Sequence, residues 1–239
     1  MALRVDEIGF GGYTLVQDTD SFCYGVDAVL LADFAQVQPD DTVLDLGCGN
    51  GIVPLILMAK GAPRRICGLE LQPDAAQLAT ENVRRNGLAE TIDIQCGDVK
   101  DAGAFYPAGS FSLVTCNPPY FPKGKGIPNA PGGKLAARQE TTADLEAFIS
   151  AAAHVLEVGG RFVLVHRPWR LCDILTLCRK YGLEPKRMRM VVPRAGESPN
   201  IVLLSCVKGG GVELTVLPEL PVRLGDGFTP EINEIYGRI

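Results

Sequence analysis

The sequence predicts an α/β fold, one open and mainly parallel sheet with helices on both faces. Three observations predict it. Short apolar runs of strand length alternate with helical stretches from residue 42 onward. Glycine, proline and asparagine punctuate the junctions between them. The last two apolar runs are joined by a link too short for a crossover helix, so they pair antiparallel. The units before them cross over right-handed and lay their strands in parallel.

The elements follow in order. TVLDL (42–46) is a short buried strand, followed by the turn Gly47-Cys-Gly-Asn-Gly51 and a helix through Lys60. RRICGLE (64–70) is the second strand. Pro73-Asp74 opens a helix that ends at Asn86-Gly87, proline at the start and glycine past the end. TIDIQCGD (91–98) and FSLVTC (111–116) are the third and fourth strands. A helix from about Thr142 to Glu157 stops at Gly159-Gly160, before the strand RFVLVH (161–166). Pro168 opens a further helix that ends near Tyr181-Gly182. RMRMVVP (187–193) and IVLLSCV (201–207) form the closing antiparallel pair. The segment from Pro122 to Gly133, rich in Gly, Pro and Lys, reads as a loop that orders on binding.

Composition narrows the class. The chain of 239 residues is long enough to bury one full core, and residues 1–239 read as one domain. No run approaches the roughly 20 apolar residues of a membrane span, and the first residues, MALRVDEIGFGG, lack the pattern of a signal peptide. The eight cysteines include no CxxC and lie mostly in or beside apolar runs. That usage predicts reduced thiols in a cytoplasmic protein and no structural metal. Nothing calls for more than a monomer. The net charge is −5. Between Tyr120 and Lys208, however, 14 Lys/Arg face 7 Asp/Glu, so one face can hold an anion despite the acidic total.

The first strand–helix turn carries glycines at 47, 49 and 51, which permit positive φ and close approach of a ligand to the backbone. A dinucleotide fingerprint needs glycine at 52, where Ile52 stands. Asp45, just before the turn, would also repel a pyrophosphate. An acidic strand end with G-x-G-x-G suits a ligand with a positive amino-acid head and no phosphate, the character of S-adenosylmethionine. Glu70 and Asp98 end the next two strands, where they could accept from ribose hydroxyls and an adenine amino group. The plain alternative for each acid is an exposed strand end. Three such acids on successive strands beside one glycine turn argue for a site.

The fourth strand runs into Asn117-Pro-Pro-Tyr120 and Phe121. Proline cannot donate to a ladder, so this stiff corner has another use. A conjugated exocyclic amino group is a poor nucleophile. The Asn117 side-chain oxygen and the Pro118 carbonyl could hold its two hydrogens and turn the nitrogen toward a methyl donor. Tyr120 offers a stacking face, and Phe121 extends the aromatic wall. A base in nucleic acid would have to leave its stack to enter. Candidate phosphate contacts are Lys123, Lys125, Lys134, Arg138, Arg161, Arg167, Arg170, Lys186, Arg187 and Arg189; several of these are simply surface charges, and Lys123 and Lys125 are the best placed, nearest the corner.

The glycine motif and strand-end acids resemble the class I S-adenosylmethionine-dependent methyltransferases, and Asn-Pro-Pro-Tyr resembles their amino-group members. Further segments narrow the likeness. They are Phe22-Cys-Tyr-Gly-Val-Asp-Ala-Val-Leu-Leu-Ala-Asp-Phe34, Ala137-Arg-Gln-Glu-Thr141, His166-Arg-Pro-Trp-Arg-Leu171, Glu184-Pro-Lys-Arg187 and Phe228-Thr-Pro-Glu231. Together, from about Phe10 to Arg238, the chain resembles the tRNA1(Val) adenine-37 N(6)-methyltransferase family. The resemblance implies a seven-stranded Rossmann-like sheet with its last strand antiparallel. It implies an N-terminal hairpin and cofactor-covering helix (1–40), a catalytic core (41–208) and a tail (209–239). It places residues 45–51 at the methionine end of the cofactor, Glu70 at the ribose and Asp98 at the adenine. Gly25 and Asp27 would start the covering helix, with Asp27 free to pair with the ligand's ammonium or simply cap the helix. Arg138 would face the substrate, an anticodon-loop adenine. His166 and Trp169 read as structural, the histidine as a satisfied surface residue. A protein-glutamine methyltransferase, a small-molecule amine methyltransferase and a non-catalytic cofactor- or RNA-binding module remain open alternatives.

Overall fold

The computed structural model describes residues 2–19, 24–120 and 145–238. Strands β1 (Leu3–Glu7) and β2 (Thr14–Asp18) form an antiparallel hairpin, followed by helix α1 (Val26–Phe34). The alternating core comprises β3 (Thr42–Leu46), α2 (Ile52–Gly61), β4 (Arg65–Glu70), α3 (Pro73–Arg85) and β5 (Ile92–Cys96). It continues through α4 (Ala102–Phe105), β6 (Phe111–Cys116), α5 (Leu145–Val155), β7 (Leu156–His166) and α6 (Leu171–Lys180). β8 (Leu183–Arg194) and β9 (Ile201–Lys208) complete it. Among the described residues, no helix is long and apolar enough to cross a membrane.

The core strands lie in the order β5-β4-β3-β6-β7-β9-β8, with β9 antiparallel to both its neighbours. Two apolar layers cover the sheet. One joins α1 and α2 to one face, through Leu30, Leu31, Leu55 and Ile56. The other packs α5 and α6 on the opposite face, through Phe148, Ile149, Ile174 and Cys178. Central strands covered on both faces read as continuous apolar runs, which is why 42–46 and 111–116 were legible.

Among the described residues the sheet has ten strands, three more than the seven expected. The tail supplies them: β10 (Thr215–Val216) and β11 (Leu220–Leu224) run parallel along β8, and β12 (Gly227–Phe228) pairs with β11. They cover the edge that β8 would otherwise present, and an open edge invites pairing with other chains. Helix α7 (Pro230–Ile235) then buries Ile232 and Ile235 in the layer that holds α1. The tail's strands are two to five residues long, too short for a periodic signal.

Two boundaries also differ from expectation. β7 begins at Leu156 and passes through Gly159-Gly160, which accommodate a register shift against β6 where a turn was expected. β8 begins at Leu183 and carries Pro185 at its own irregularity. The N-terminal hairpin is held by two side-chain amides. Asn82 on α3 exchanges hydrogen bonds with the backbone of Val16 at 2.7 and 3.0 Å, and Asn86 does the same with Thr14 at 2.9 and 2.7 Å. Residues 82 and 86 lie one turn apart on one face of α3, so their amides act as the missing partner strand.

Candidate active site

Strand order reverses at β3, which is flanked by β4 on one side and β6 on the other. That crevice, beyond the carboxyl ends of the strands, is where open parallel sheets bind ligands. Asp98, Glu70, the 47–51 turn, Asn117 and His166 follow one another along this edge because β5, β4, β3, β6 and β7 do.

The turn is shaped by its glycines. Gly49 and Gly51 have φ of +56° and +85°, left-handed values that cost glycine least. A Cβ at Gly49 would meet nothing within 4 Å among the described residues, whereas one at Gly51 would press on Ala79 at 3.3 Å. Gly51 therefore serves helix packing, and Gly49 faces open space. The Gly49 N–H donates to Glu70 Oε2 and the Gln72 N–H to Oε1, both at 2.9 Å. Glu70 is thus a buried carboxylate aimed by backbone, with a second lone pair on each oxygen for a ligand. Half-buried Asp98 caps the short turn after β5 by accepting from the Lys100 N–H at 3.0 Å through Oδ1.

Asp45 is fully buried and accepts from the Thr115 hydroxyl at 2.7 Å. Burial pushes its carboxyl up to about 7; the Thr115 hydrogen bond opposes the rise and the Glu70 charge adds to it. A carboxylate so poorly compensated favours an incoming cation. Burial also raises the thiols of Cys48 and Cys116, so neither is a thiolate nucleophile. The open Gly49 wall, the aimed Glu70 and the cation-seeking Asp45 fit the ribose and the ammonium of S-adenosylmethionine.

The corner after β6 is organised by an unexpected partner. Buried Tyr120 places its hydroxyl 2.6 Å from Asp27 Oδ2 and 2.6 Å from Asn117 Oδ1. Burial and the Asp27 charge raise the phenol well above its ordinary value, so it stays protonated. Asp27 makes no helix cap, and Arg167 Nη2 lies 3.5 Å from the same carboxylate oxygen. Both contacts fall on Oδ2, so Asp27 shares its charge with Tyr120 and Arg167 through one oxygen. Gly25, the exposed residue before α1, would meet nothing among the described residues with an added Cβ, so it too leaves room for a ligand.

Tyr120 has further neighbours. The Arg167 guanidinium carbon lies 4.4 Å from its ring centroid, and the His166 ring meets it edge-on at 5.3 Å. One ring face is covered and the hydroxyl is bonded, so the ring is held firmly within the site. His166 is no surface residue: it is fully buried on a central strand. Burial, then the Arg170 charge, lower it to about 3, and its Nδ1 accepts from the Arg167 N–H at 2.7 Å. It is therefore neutral, with its hydrogen on Nε2, which has no partner among the described residues. Its place in a doubly covered parallel strand was the available signal for burial.

Topology sorts the cations. Arg161 starts the regular run of β7, at the opposite end of the sheet from the crevice. It pairs with buried Asp41 at 2.6 Å and donates to Ala35 O at 2.8 Å. Lys186 donates to Gly211 O, Arg187 to Gln36 Oε1, and Arg189 pairs with Glu231 at 2.6 Å. These four make contacts within the fold, as expected of several charges in the basic stretch. Of the candidates in described residues, Arg167 and Arg170 stand at the crevice end of β7. Phe121, Lys123, Lys125, Lys134 and Arg138 lie outside the described residues.

Known proteins resemble this chain over most of its length. Residues 13–172 match the model of the methyltransferase small domain. A tRNA1(Val) (adenine(37)-N6)-methyltransferase of Dickeya chrysanthemi is 30% identical over 217 residues, 90% of this chain and 85% of that one. One of the same name from Bacteroides fragilis is 26% identical, covering 95% of this chain and 96% of its own. A predicted O-methyltransferase from Agrobacterium tumefaciens superposes with a TM-score of 0.71 at 23% identity, over 88% of this chain and 95% of that chain. Geranyl diphosphate C-methyltransferase from Streptomyces coelicolor superposes at 0.57 and 17%, over 77% and 78%. The glycine turn, the strand-end acids and the Asn-Pro-Pro-Tyr corner thus sit in a shared fold, and the chain belongs to the methyltransferase small-domain family and, within it, to the tRNA1(Val) (adenine(37)-N6)-methyltransferases.

Proposed function

We propose that this protein transfers a methyl group from S-adenosylmethionine to the exocyclic amino group of an adenine in tRNA, adenine 37 of the anticodon loop. The observation that carries the reading is the Asn117-Pro-Pro-Tyr120 corner, set beside the Gly49–Glu70–Asp45 crevice. When bound, S-adenosylmethionine supplies an electrophilic methyl group on a positively charged sulfur.

The chain's own groups do the rest by placement. The Tyr120 hydroxyl has a single hydrogen, and the Asp27 carboxylate is its stronger acceptor. The 2.6 Å contact with Asn117 is then completed by the amide donating through Nδ2, its two ends exchanged by a half-turn. Asn117 Oδ1 is left to accept one amino hydrogen of the base, and the Pro118 carbonyl accepts the other. The nitrogen lone pair is thereby freed from conjugation and aimed at the methyl carbon. As the new N–C bond forms, the methyl carbon's bond to sulfur breaks and its electron pair stays with the neutral thioether; the nitrogen becomes cationic and releases one proton to water. Among the described residues, neither neighbouring group is a strong base: His166 uses its only acceptor on the Arg167 N–H, and Asp27 is engaged. Positioning and charge complementarity supply the rate.

The direct test incubates the protein with labelled cofactor and total tRNA from a strain lacking the gene, then maps the labelled nucleoside. N(6)-methyladenosine at position 37 is expected; label elsewhere, or none, would refute the reading. A second test separates structural from substrate-binding cations. Arg161→Ala should lower stability by about 2–4 kcal/mol, because it leaves buried Asp41 unpaired. Denaturant unfolding measures that loss, and kcat/KM for tRNA should not change. A raised KM at unchanged stability would return Arg161 to the RNA surface.

A further inference from the structure

We propose that Trp169, backed by His166 and flanked by Arg167 and Arg170, is a second base-stacking subsite. Its ligand is a nucleotide of the single strand next to the base being methylated. The inference rests on RNA being the substrate, and it names a contact outside the catalytic corner.

Trp169 is the only tryptophan in the chain and is 55% exposed. A lone exposed apolar side chain is ordinary; its setting here is not. It stands on the short 3-10 turn Pro168–Arg170, immediately past the carboxyl end of β7 and on the same edge as the crevice. Its ring meets His166 edge-on at 6.4 Å, and His166 meets Tyr120 edge-on at 5.3 Å. The three rings are in successive edge-on contact, Tyr120 to His166 to Trp169. Trp169 lies no further from Tyr120 than those separations laid end to end, a span of three or four stacking steps of ~3.4 Å. A neighbouring nucleotide of the same strand can reach across that bound.

The support is rigid. His166 is fully buried, neutral and tied through Nδ1 to the Arg167 N–H, and Pro168 fixes the turn. Its Nε2–H is a buried donor without a partner among the described residues. Arg170 holds its guanidinium 5.7 Å from the indole centroid and is steadied by Asp173 at 2.8 Å. It also lines a cavity of about 460 Å³ with Glu146, Asp173 and Leu145. Groups of both signs beside an apolar wall suit a neutral heterocycle with donors and acceptors. An aromatic face beside a cation is the chemistry that holds bases and backbone of single-stranded RNA. A base stacked here would offset the cost of unstacking the target and keep the strand open.

Because Trp169 is the sole tryptophan, the intact protein reports on itself. Its emission should be strongly quenched by a short adenine-containing single-stranded RNA, and not by an abasic oligomer with the same number of phosphates. Trp169→Ala should raise KM for tRNA by about ten- to a hundredfold while leaving kcat at saturating tRNA and cofactor affinity unchanged. Trp169→Phe, which keeps a ring face, should recover most of that loss. The proposal is overturned by unmoved emission at RNA concentrations that saturate binding by anisotropy. It is overturned equally by an unchanged KM in Trp169→Ala, or by a phenylalanine variant as weak as alanine. Quenching retained by a wild-type protein that methylates no tRNA would sink the catalytic reading and leave the subsite standing.

Discussion

Asn117→Ala is expected to lower kcat for tRNA by about a thousandfold, the scale of losing one oriented polar contact that matters only in the transition state. Cofactor affinity, measured by titration calorimetry, should stay at the wild-type value, because Asp45, Glu70 and the glycine turn are untouched. Tyr120→Phe and Asp27→Asn should each reproduce part of the loss. Both act on one object, the orientation of the Asn117 amide, through the two 2.6 Å contacts of the Tyr120 hydroxyl. Their effects should therefore fail to add in the double variant. Single-turnover assays under saturating substrate isolate this step from binding. Wild-type turnover by Asn117→Ala would end the proposed role, and additive effects of Tyr120→Phe and Asp27→Asn would break the chain linking the two to Asn117.

The second large effect concerns Asp45. Its carboxyl ionises near 3.8 in an unfolded chain and at about 7 in the folded one. A raised folded value means stability that is present at low pH and lost as pH rises through about 7. At pH 8 the buried charge costs up to about 4 kcal/mol, because each tenfold change in the protonation equilibrium is worth roughly 1.4 kcal/mol. Asp45→Asn should therefore stabilise the cofactor-free protein by about 2–4 kcal/mol at pH 8, shrinking to below about 1 kcal/mol at pH 4. Denaturant unfolding at the two pH values checks both magnitude and sign.

The same substitution should abolish cofactor binding, since the ligand's ammonium loses its anion. In the wild type, a cation held by Asp45 must displace a proton below pH 7. Cofactor affinity should then fall about tenfold for each step of one in pH between about pH 6.5 and 5, and that slope should vanish in Asp45→Asn. Equal stability of the two proteins across this range, or a flat affinity profile in the wild type, would show that Asp45 does not carry a buried charge awaiting a ligand. Sites that store such a charge trade stability for binding.

Legibility followed the range of the physics involved. The alternation of strands and helices from residue 42 to 208 depends on local hydrophobic period and on proline and glycine at junctions, both written along the chain. Asp45, Glu70 and Asp98 were recognisable because a parallel sheet lines up its strand ends, whatever the details of packing. The tail was not legible as sheet, since β10 to β12 exist by pairing with β8 and with one another. Nor was the hairpin's anchor, because Asn82 and Asn86 act as a partner strand only once α3 lies beside β2.

Residue order alone thus settled the class of fold and the positions of the strand-end loops, since those depend on neighbours within a few residues. Contacts across the sheet decided the remainder. Asp27 meets Tyr120 across 93 positions of chain, and Arg161 meets Asp41 across 120. No local period encodes such pairs, because which side chains converge is set by strand order and by the burial that makes an unpaired charge costly.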